Sequence, residues 1–165
     1  MFLGEKMKIT ILAVGKVKES YFRDGIAEYL KRLSKYAKME VVEVNDEKTP
    51  DNASEKEEVL IKQKEGERLL KSMKEDAYTI VLAIDGKKLD SVSLAEKIDQ
   101  LGVSGVSHIQ FVIGGSLGLA DEVLRKADMK LSFSDMTFPH QLMRLILCEQ
   151  IYRSYRIIHN QPYHK

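Results

Sequence analysis

Between Ile109 and Arg144 the chain passes through an apolar run, a glycine cluster, a short helical piece, a second apolar run, a polar hinge and a long apolar helix. That order leaves few folds open. Ile109 to Ile113 has the length and composition of a buried strand. Gly114, Gly115 and Gly118 follow it, where the chain can turn tightly and bring bare backbone close to a ligand. Met129 to Phe133 is the second apolar run, and Ser134-Asp135-Met136-Thr137 is the hinge that leads through Phe138 and Pro139 into the last helix. Alternating strands and helices place their ligands in loops at strand ends. Two neighbouring loops of small and polar residues offer backbone N–H and C=O groups to a flat heterocycle, and Leu82, at the end of an earlier strand, offers an apolar wall.

The rest of the chain repeats the alternation. Lys8 to Val14, Met39 to Val44 and Tyr78 to Ile84 are β-branched or apolar runs that predict strands, the last ended by Asp85-Gly86. From Ser20 the spacing of Phe22, Ile26, Tyr29, Leu30 and Leu33 predicts a helix. Asn45 to Ala53 is a polar loop. Ser54 opens a capping box and a helix to about Lys74, and Ser93 with Glu96 predicts a second box starting a helix that stops before Gly102. Asp121 to Ala127 predicts a two-turn helix, and Thr137 is the expected N-cap of a final helix reaching about His159. The pattern predicts an α/β protein with a parallel sheet in an α/β/α single domain over residues 7–165. Residues 1–6 are expected to be an N-terminal extension.

In the last helix Leu142, Met143, Leu145, Ile146, Leu147, Cys148, Ile151 and Tyr152 cover most of the circumference. A helix apolar nearly all round is buried on two sides, which predicts a homodimer built on it. From His140 onward Arg144, Arg153, Arg156, Lys165 and three histidines face a single acid, Glu149. Such a local basic segment on a chain of net charge +1 suggests a site for an anionic partner, although a solvated helix face accounts for the charge equally well. Tyr152, Arg153, Tyr155 and Arg156 add the planes on which unpaired RNA bases stack, although interface packing accounts for the tyrosines equally well.

Composition narrows the classes further. At 44% apolar and 31% charged residues, the chain reads as a soluble globular protein, expected in the cytoplasm. No apolar run approaches the roughly 20 residues that span a bilayer, so no membrane partner is expected. The four histidines form no H-x-x-x-H pair and a lone cysteine cannot build a structural zinc site, so no metal is expected. Cys148 is expected to be a reduced, buried thiol. Gly114-Gly115-Ser116-Leu117-Gly118 matches neither a dinucleotide fingerprint nor a P-loop. There is no G-x-S-x-G elbow either, so Ser116 is expected to bond within its loop instead of acting as a nucleophile.

Gly114-Gly115-Ser116-x-Gly118 and Leu131-Ser132-Phe133-Ser134-x-Met136-Thr137-Phe138-Pro139-His140-Gln141-x-Met143-Arg144, with the terminal Pro162-Tyr163-His164-Lys165, resemble the ribosomal large subunit methyltransferase H family of small SPOUT-class enzymes. The likeness also takes in the opening Met7 to Lys16 and so covers residues 7–165. It implies a homodimer with a C-terminal trefoil knot, S-adenosyl-L-methionine as cofactor, and methylation of N3 of a pseudouridine (position 1915, helix 69) in 23S rRNA on assembled ribosomes. Cofactor contacts carry over to Leu82, Gly114, Phe133, Ser134, Asp135, Met136, Thr137 and Phe138. The implied active site is composite, with one subunit's tail reaching the other's cofactor, which places Arg153, Tyr163 and His164 near the target base. A histidine suits proton transfer near neutrality, and Arg153 suits stabilising charge on the uracil or gripping a phosphate. Two alternatives stand beside this: a non-catalytic ribosome- or RNA-binding factor of the same fold, and a nucleotide-binding oxidoreductase.

Overall fold

A computed structural model describes residues 5–165, so the expected extension lies outside the described residues apart from Glu5 and Lys6. Five strands form one wholly parallel sheet: β1 (Met7–Val14), β2 (Ala37–Val44), β3 (Tyr78–Lys88), β4 (His108–Ile113) and β5 (Met129–Ser132), in the order β2-β1-β4-β3-β5. The helices are α1 (Ser20–Leu33), α2 (Glu55–Ser72), α3 (Ser91–Val103), α4 (Asp121–Arg125) and α5 (His140–Ile158).

The central strands read as continuous apolar runs because both faces of the sheet are covered. Successive side chains of β1 alternate between two cores. Ile9, Ile11 and Ala13 join Ile26 and Leu33 of α1, Leu94, Ile98 and Leu101 of α3, and Leu147 and Ile151 of α5. Leu12 and Val14 join Leu69 of α2 and Val123 of α4 on the opposite face. The result is the expected α/β/α sandwich.

The last helix answers the question its composition raised. It lies between α1 and α3 on the sheet, and none of its 19 residues is fully exposed even in a single chain. Leu142, Met143 and Ile146 nevertheless stay only half-buried. Arg144 is 3% exposed, with its guanidinium paired to Glu43 of β2 and donating to the Gly15 carbonyl at 3.1 Å. Lys18 N–H donates to Gln141 Oε1 at 2.9 Å. These contacts pin the start of α5 across the C-terminal ends of β1 and β2. Cys148 is a buried free thiol, its pKa pushed up to about 12 by burial and so inert at neutral pH.

Four boundaries differ from expectation, each for a local reason. β3 does not stop at Asp85-Gly86. It continues to Lys88 across a register shift, and Leu131 of β5 pairs with both Leu82 and Lys87. The pairing slips between Leu82 and Lys87, so both ends of that segment meet the same residue of β5. Gly86 permits this, because a Cβ there would lie 2.8 Å from the Lys130 carbonyl carbon. α3 is capped by Asp90, whose carboxylate accepts the Ser93 N–H at 2.7 Å, so the expected box at Ser93 lies inside the helix. That helix also runs through Gly102, since no steric demand ends it there. Thr137 caps nothing: the residue before α5 is Pro139, extended and without a side-chain cap. The box at Ser54 and Glu57 forms as expected.

Replacing Arg144 by alanine should remove about 3 kcal/mol of stability in urea unfolding, the loss typical when one partner of a buried ion pair is deleted. A change below about 0.5 kcal/mol would show that α5 is held without it.

Candidate donor pocket and C-terminal tail

β3, β4 and β5 end side by side, and the loops that leave them enclose a cavity of about 730 Å³. This is the size range of small-molecule and cofactor sites. Leu82 and Ile84 form one wall and the glycine loop a second. The Ser132–Pro139 segment forms a third, and His140 and Met143 of α5 close the side.

The glycines are there for space. A Cβ on Gly114 would sit 2.8 Å from the Gly118 carbonyl carbon, and one on Gly115 would sit 2.9 Å from Glu65 Oε1. Gly118 turns the loop with φ of 89°. Gly118 N–H donates back to the Gly115 carbonyl at 3.1 Å. In the hinge, Ser132 Oγ donates to the Ser134 carbonyl at 3.1 Å and Met136 N–H donates to Ser134 Oγ at 3.0 Å. Short side chains thus bond their own turn and leave the wall lined by small and apolar groups.

Of the expected cofactor-binding residues, Leu82, Gly114, Phe133, Ser134, Met136, Thr137 and Phe138 all line the cavity. Asp135 does not. Its side chain points to solvent and pairs with Lys88 at the far end of β3. The lining carries no Lys, Arg, Asp or Glu, and His140 is its sole ordinary acid–base group. Burial, followed by the neighbouring Arg144, lowers the His140 pKa, so the ring is neutral and its buried Nδ1 has no partner. A cavity of this size with apolar walls, free hinge backbone and bare glycines fits a flat adenosyl group.

Glu65 is a feature that sequence reasoning missed. It is 4% exposed on α2, directly behind Gly115, and Glu47 N–H donates to its Oε2 at 2.9 Å while Oε1 has no partner. Burial raises its pKa above the ordinary carboxylate range, opposed by the Glu47 N–H bond and by Arg68, while the negative charges of Asp46 and Glu47 add to the rise. The only signal in sequence was its place on the apolar side of α2, beside Ile61 and Leu69.

The three expected catalytic residues form a separate cluster, and none lines the cavity. Arg153 lies 13 residues beyond His140 on α5, about 20 Å along the helix at 1.5 Å per residue. Glu149, also missed, is the organiser. It accepts from Arg153 Nη2 at 2.7 Å and from the Tyr163 hydroxyl at 2.7 Å. Its spacing of four from Arg153 was the available clue. The Arg153 guanidinium stands 4.7 Å over the Tyr163 ring and meets His164 Nδ1 at 3.1 Å. Burial, then hydrogen bonding to Tyr29 and Glu149, raises the Tyr163 pKa, so its phenol stays protonated. Among the described residues no group of acids, histidines and cysteines is placed to hold a metal, and no helix is long and apolar enough to cross a membrane.

The parallel sheet with its strand-end pocket, together with a family match over nearly the whole chain, defines a methyltransferase of the SPOUT class. The corresponding family model, described as "Predicted SPOUT methyltransferase", matches residues 7–164. Solved structures share the fold: a probable methylase family protein from Haemophilus influenzae (TM-score 0.53, 14% identity, 96% of this chain and 71% of that one) and the tRNA (m1G37) methyltransferase of Aquifex aeolicus (0.52, 14%, 88% and 69%). Sequence relatives are far nearer. The chain is 62% identical to the ribosomal RNA large subunit methyltransferase H of Bifidobacterium adolescentis and 61% to that of Clostridium novyi, each over 159 residues, 96% of this chain and 100% of the relative. The chain belongs to the ribosomal RNA large subunit methyltransferase H family.

The Glu65 carboxyl binds its proton more tightly folded than unfolded. Its contribution to stability is therefore present below the unfolded value near 4.3 and lost as pH rises through the raised folded value. Urea unfolding of wild type and Glu65→Gln across pH 4 to 8 should show the difference moving in the variant's favour as pH rises. A pH-independent difference would contradict the assignment.

Proposed function

We propose that this protein transfers a methyl group from S-adenosyl-L-methionine to N3 of the helix 69 pseudouridine of 23S rRNA, as a cytoplasmic homodimer acting on assembled ribosomes. One observation carries the proposal: the pocket that fits the donor has no charged group, while the arginine, tyrosine and histidine suited to an RNA base sit about 20 Å away along α5. One chain cannot bring them together, and a second copy can. The half-buried apolar positions Leu142, Met143 and Ile146 support a contact along α5. The pairing of Leu131 with both Leu82 and Lys87 across a register shift supports the C-terminal knot.

When bound, the donor supplies a methyl group already activated by the sulfonium charge, so the protein's task is positioning and desolvation. Leu82, Gly114 and the Phe133–Phe138 hinge hold the adenosyl group, the hinge through its free backbone. Asp135 serves from outside by tethering the hinge to Lys88. The uracil N3–H loses its proton to His164. Arg153 Nη1 occupies His164 Nδ1 in the single chain, which puts the neutral ring's own proton on Nε2. Arg153 must therefore leave Nδ1 for the RNA, where it stabilises negative charge on the ring, before His164 can accept the N3 proton. Glu149 holds Arg153 and Tyr163 in register for that exchange.

A binding factor of the same fold would show no transfer. Mass spectrometry of 23S rRNA from cells lacking the protein should reveal one missing methyl group on the helix 69 pseudouridine, and unchanged rRNA would remove the assignment. Calorimetry should show S-adenosyl-L-methionine binding weakened on the order of ten-fold or more by Gly114→Ala, equivalent to about 1.4 kcal/mol. His164→Ala should lower turnover at saturating ribosome with little change in ribosome affinity. The reverse pattern would make His164 a binding residue only.

A further inference from the structure

The turn between α1 and β2 reads Lys31-Arg32-Leu33-Ser34-Lys35-Tyr36, with three cations and no acid. Lys31 and Lys35 are exposed and have no carboxylate within 4.0 Å among the described residues, whereas Arg32 is neutralised by Glu28 at 2.8 Å. Lys6 joins them by donating from Nζ to the Ser34 carbonyl at 2.9 Å. Exposed lysines alone are ordinary surface. What distinguishes these is what they are fastened to.

Tyr36 bonds through its hydroxyl to Gln161 Oε1, and its ring stacks on Tyr155 (5.6 Å between centroids, 8° between planes) and on His159 (5.2 Å, 25°). Arg156 then donates to the Tyr36 hydroxyl at 3.2 Å and to the Pro162 carbonyl at 2.9 Å. Asn160, with φ of 53°, turns the chain so that this junction closes. Tyr36 and Arg156 thus dock the C-terminal tail on the basic turn, one residue before Tyr163 and two before His164. The Lys35 ammonium sits 5.0 Å from the centre of the Tyr36 ring. Wherever the tail presents Tyr163 and His164, Lys31 and Lys35 go with it at a fixed offset.

We propose that the α1–β2 turn is a docking surface for the phosphate backbone of the RNA beside the target base, with Lys6, Lys31 and Lys35 as its phosphate contacts. The proposal rests on the RNA methyltransferase activity put forward above and names the part of the surface that grips the substrate. Lysine serves here as a mobile point charge, which suits backbone neutralisation without base readout. Arg32 is left out because Glu28 and the faces of Tyr29 and Tyr152 already hold it. The turn lies at the N-terminal end of the sheet, opposite the chain's own pocket, so the backbone it holds leads to the pocket of the other subunit.

The test is steady-state methylation of purified ribosomes by wild type, Lys31→Ala/Lys35→Ala and Lys31→Arg/Lys35→Arg over a series of KCl concentrations. The alanine pair should raise KM for ribosomes several-fold while leaving kcat within two-fold and donor binding by calorimetry unchanged. The slope of log(kcat/KM) against log[KCl] should flatten by about 0.7 to 0.9 for each lost phosphate contact, and the arginine pair should restore both KM and slope. An alanine pair with wild-type KM and slope overturns the docking surface. A raised KM with an unchanged salt slope also overturns it, by pointing to a ribosomal protein as the partner. A wild-type protein that binds the donor yet methylates no ribosomal RNA overturns the parent activity instead.

Discussion

Leu131 pairs with both Leu82 and Lys87 across the register shift in β3, and the candidate pocket beside β5 depends on that double pairing. A four-residue strand at the edge of a sheet is ordinarily a weak place to build a site, because half its backbone groups lack partners. Here the strand leading into the second pocket loop pairs with β3 both before and after the register shift, and Gly86 lets that segment lie against the Lys130 backbone. The hinge that follows inherits this support, and its exposed carboxylate at Asp135 is tied back to Lys88 at the end of β3. The pocket wall and the β3–β5 pairing are thus one structure.

From the hinge the chain returns over the sheet as α5. Arg144 and Gln141 fasten its first turns to β2 and the loop after β1, and α1 and α3 flank its length. The helix carries a division of labour. Its first turn contributes an uncharged wall with a neutral histidine, and its far end carries the cationic and aromatic groups gathered by Glu149. Under the proposed activity the separation has a physical logic: a sulfonium donor would sit in a site with no competing cation, and the charged groups would meet the polyanion elsewhere.

Much of this was legible in the sequence, for identifiable reasons. The five strands and five helices followed from periodicity because both sheet faces are buried and the apolar runs are unbroken. That the glycine loop and the hinge would lie beside one another at strand ends was legible because turn chemistry is local. Asp85-Gly86 misled because a glycine needed for close backbone approach looks the same as one that ends a strand. Thr137 misled because the hinge, held by the Lys88–Asp135 pair and the Ser134 turn, needed no cap. Glu65 and Glu149 were out of reach. Their roles arise from contacts with Gly115, 50 positions away, and with Tyr163 in the folded-back tail, and no pattern of neighbours encodes either.

Whether pocket and tail belong to different subunits is open to a direct measurement. One variant would carry Gly114→Arg, which fills the donor pocket, and the other Tyr163→Ala with His164→Ala, which strips the tail. Methyl transfer by the two is measured separately and after they are unfolded and refolded together. A composite site predicts activity only in the mixture, because each mixed dimer then has one intact pocket facing one intact tail. A mixture no more active than its components would contradict the account.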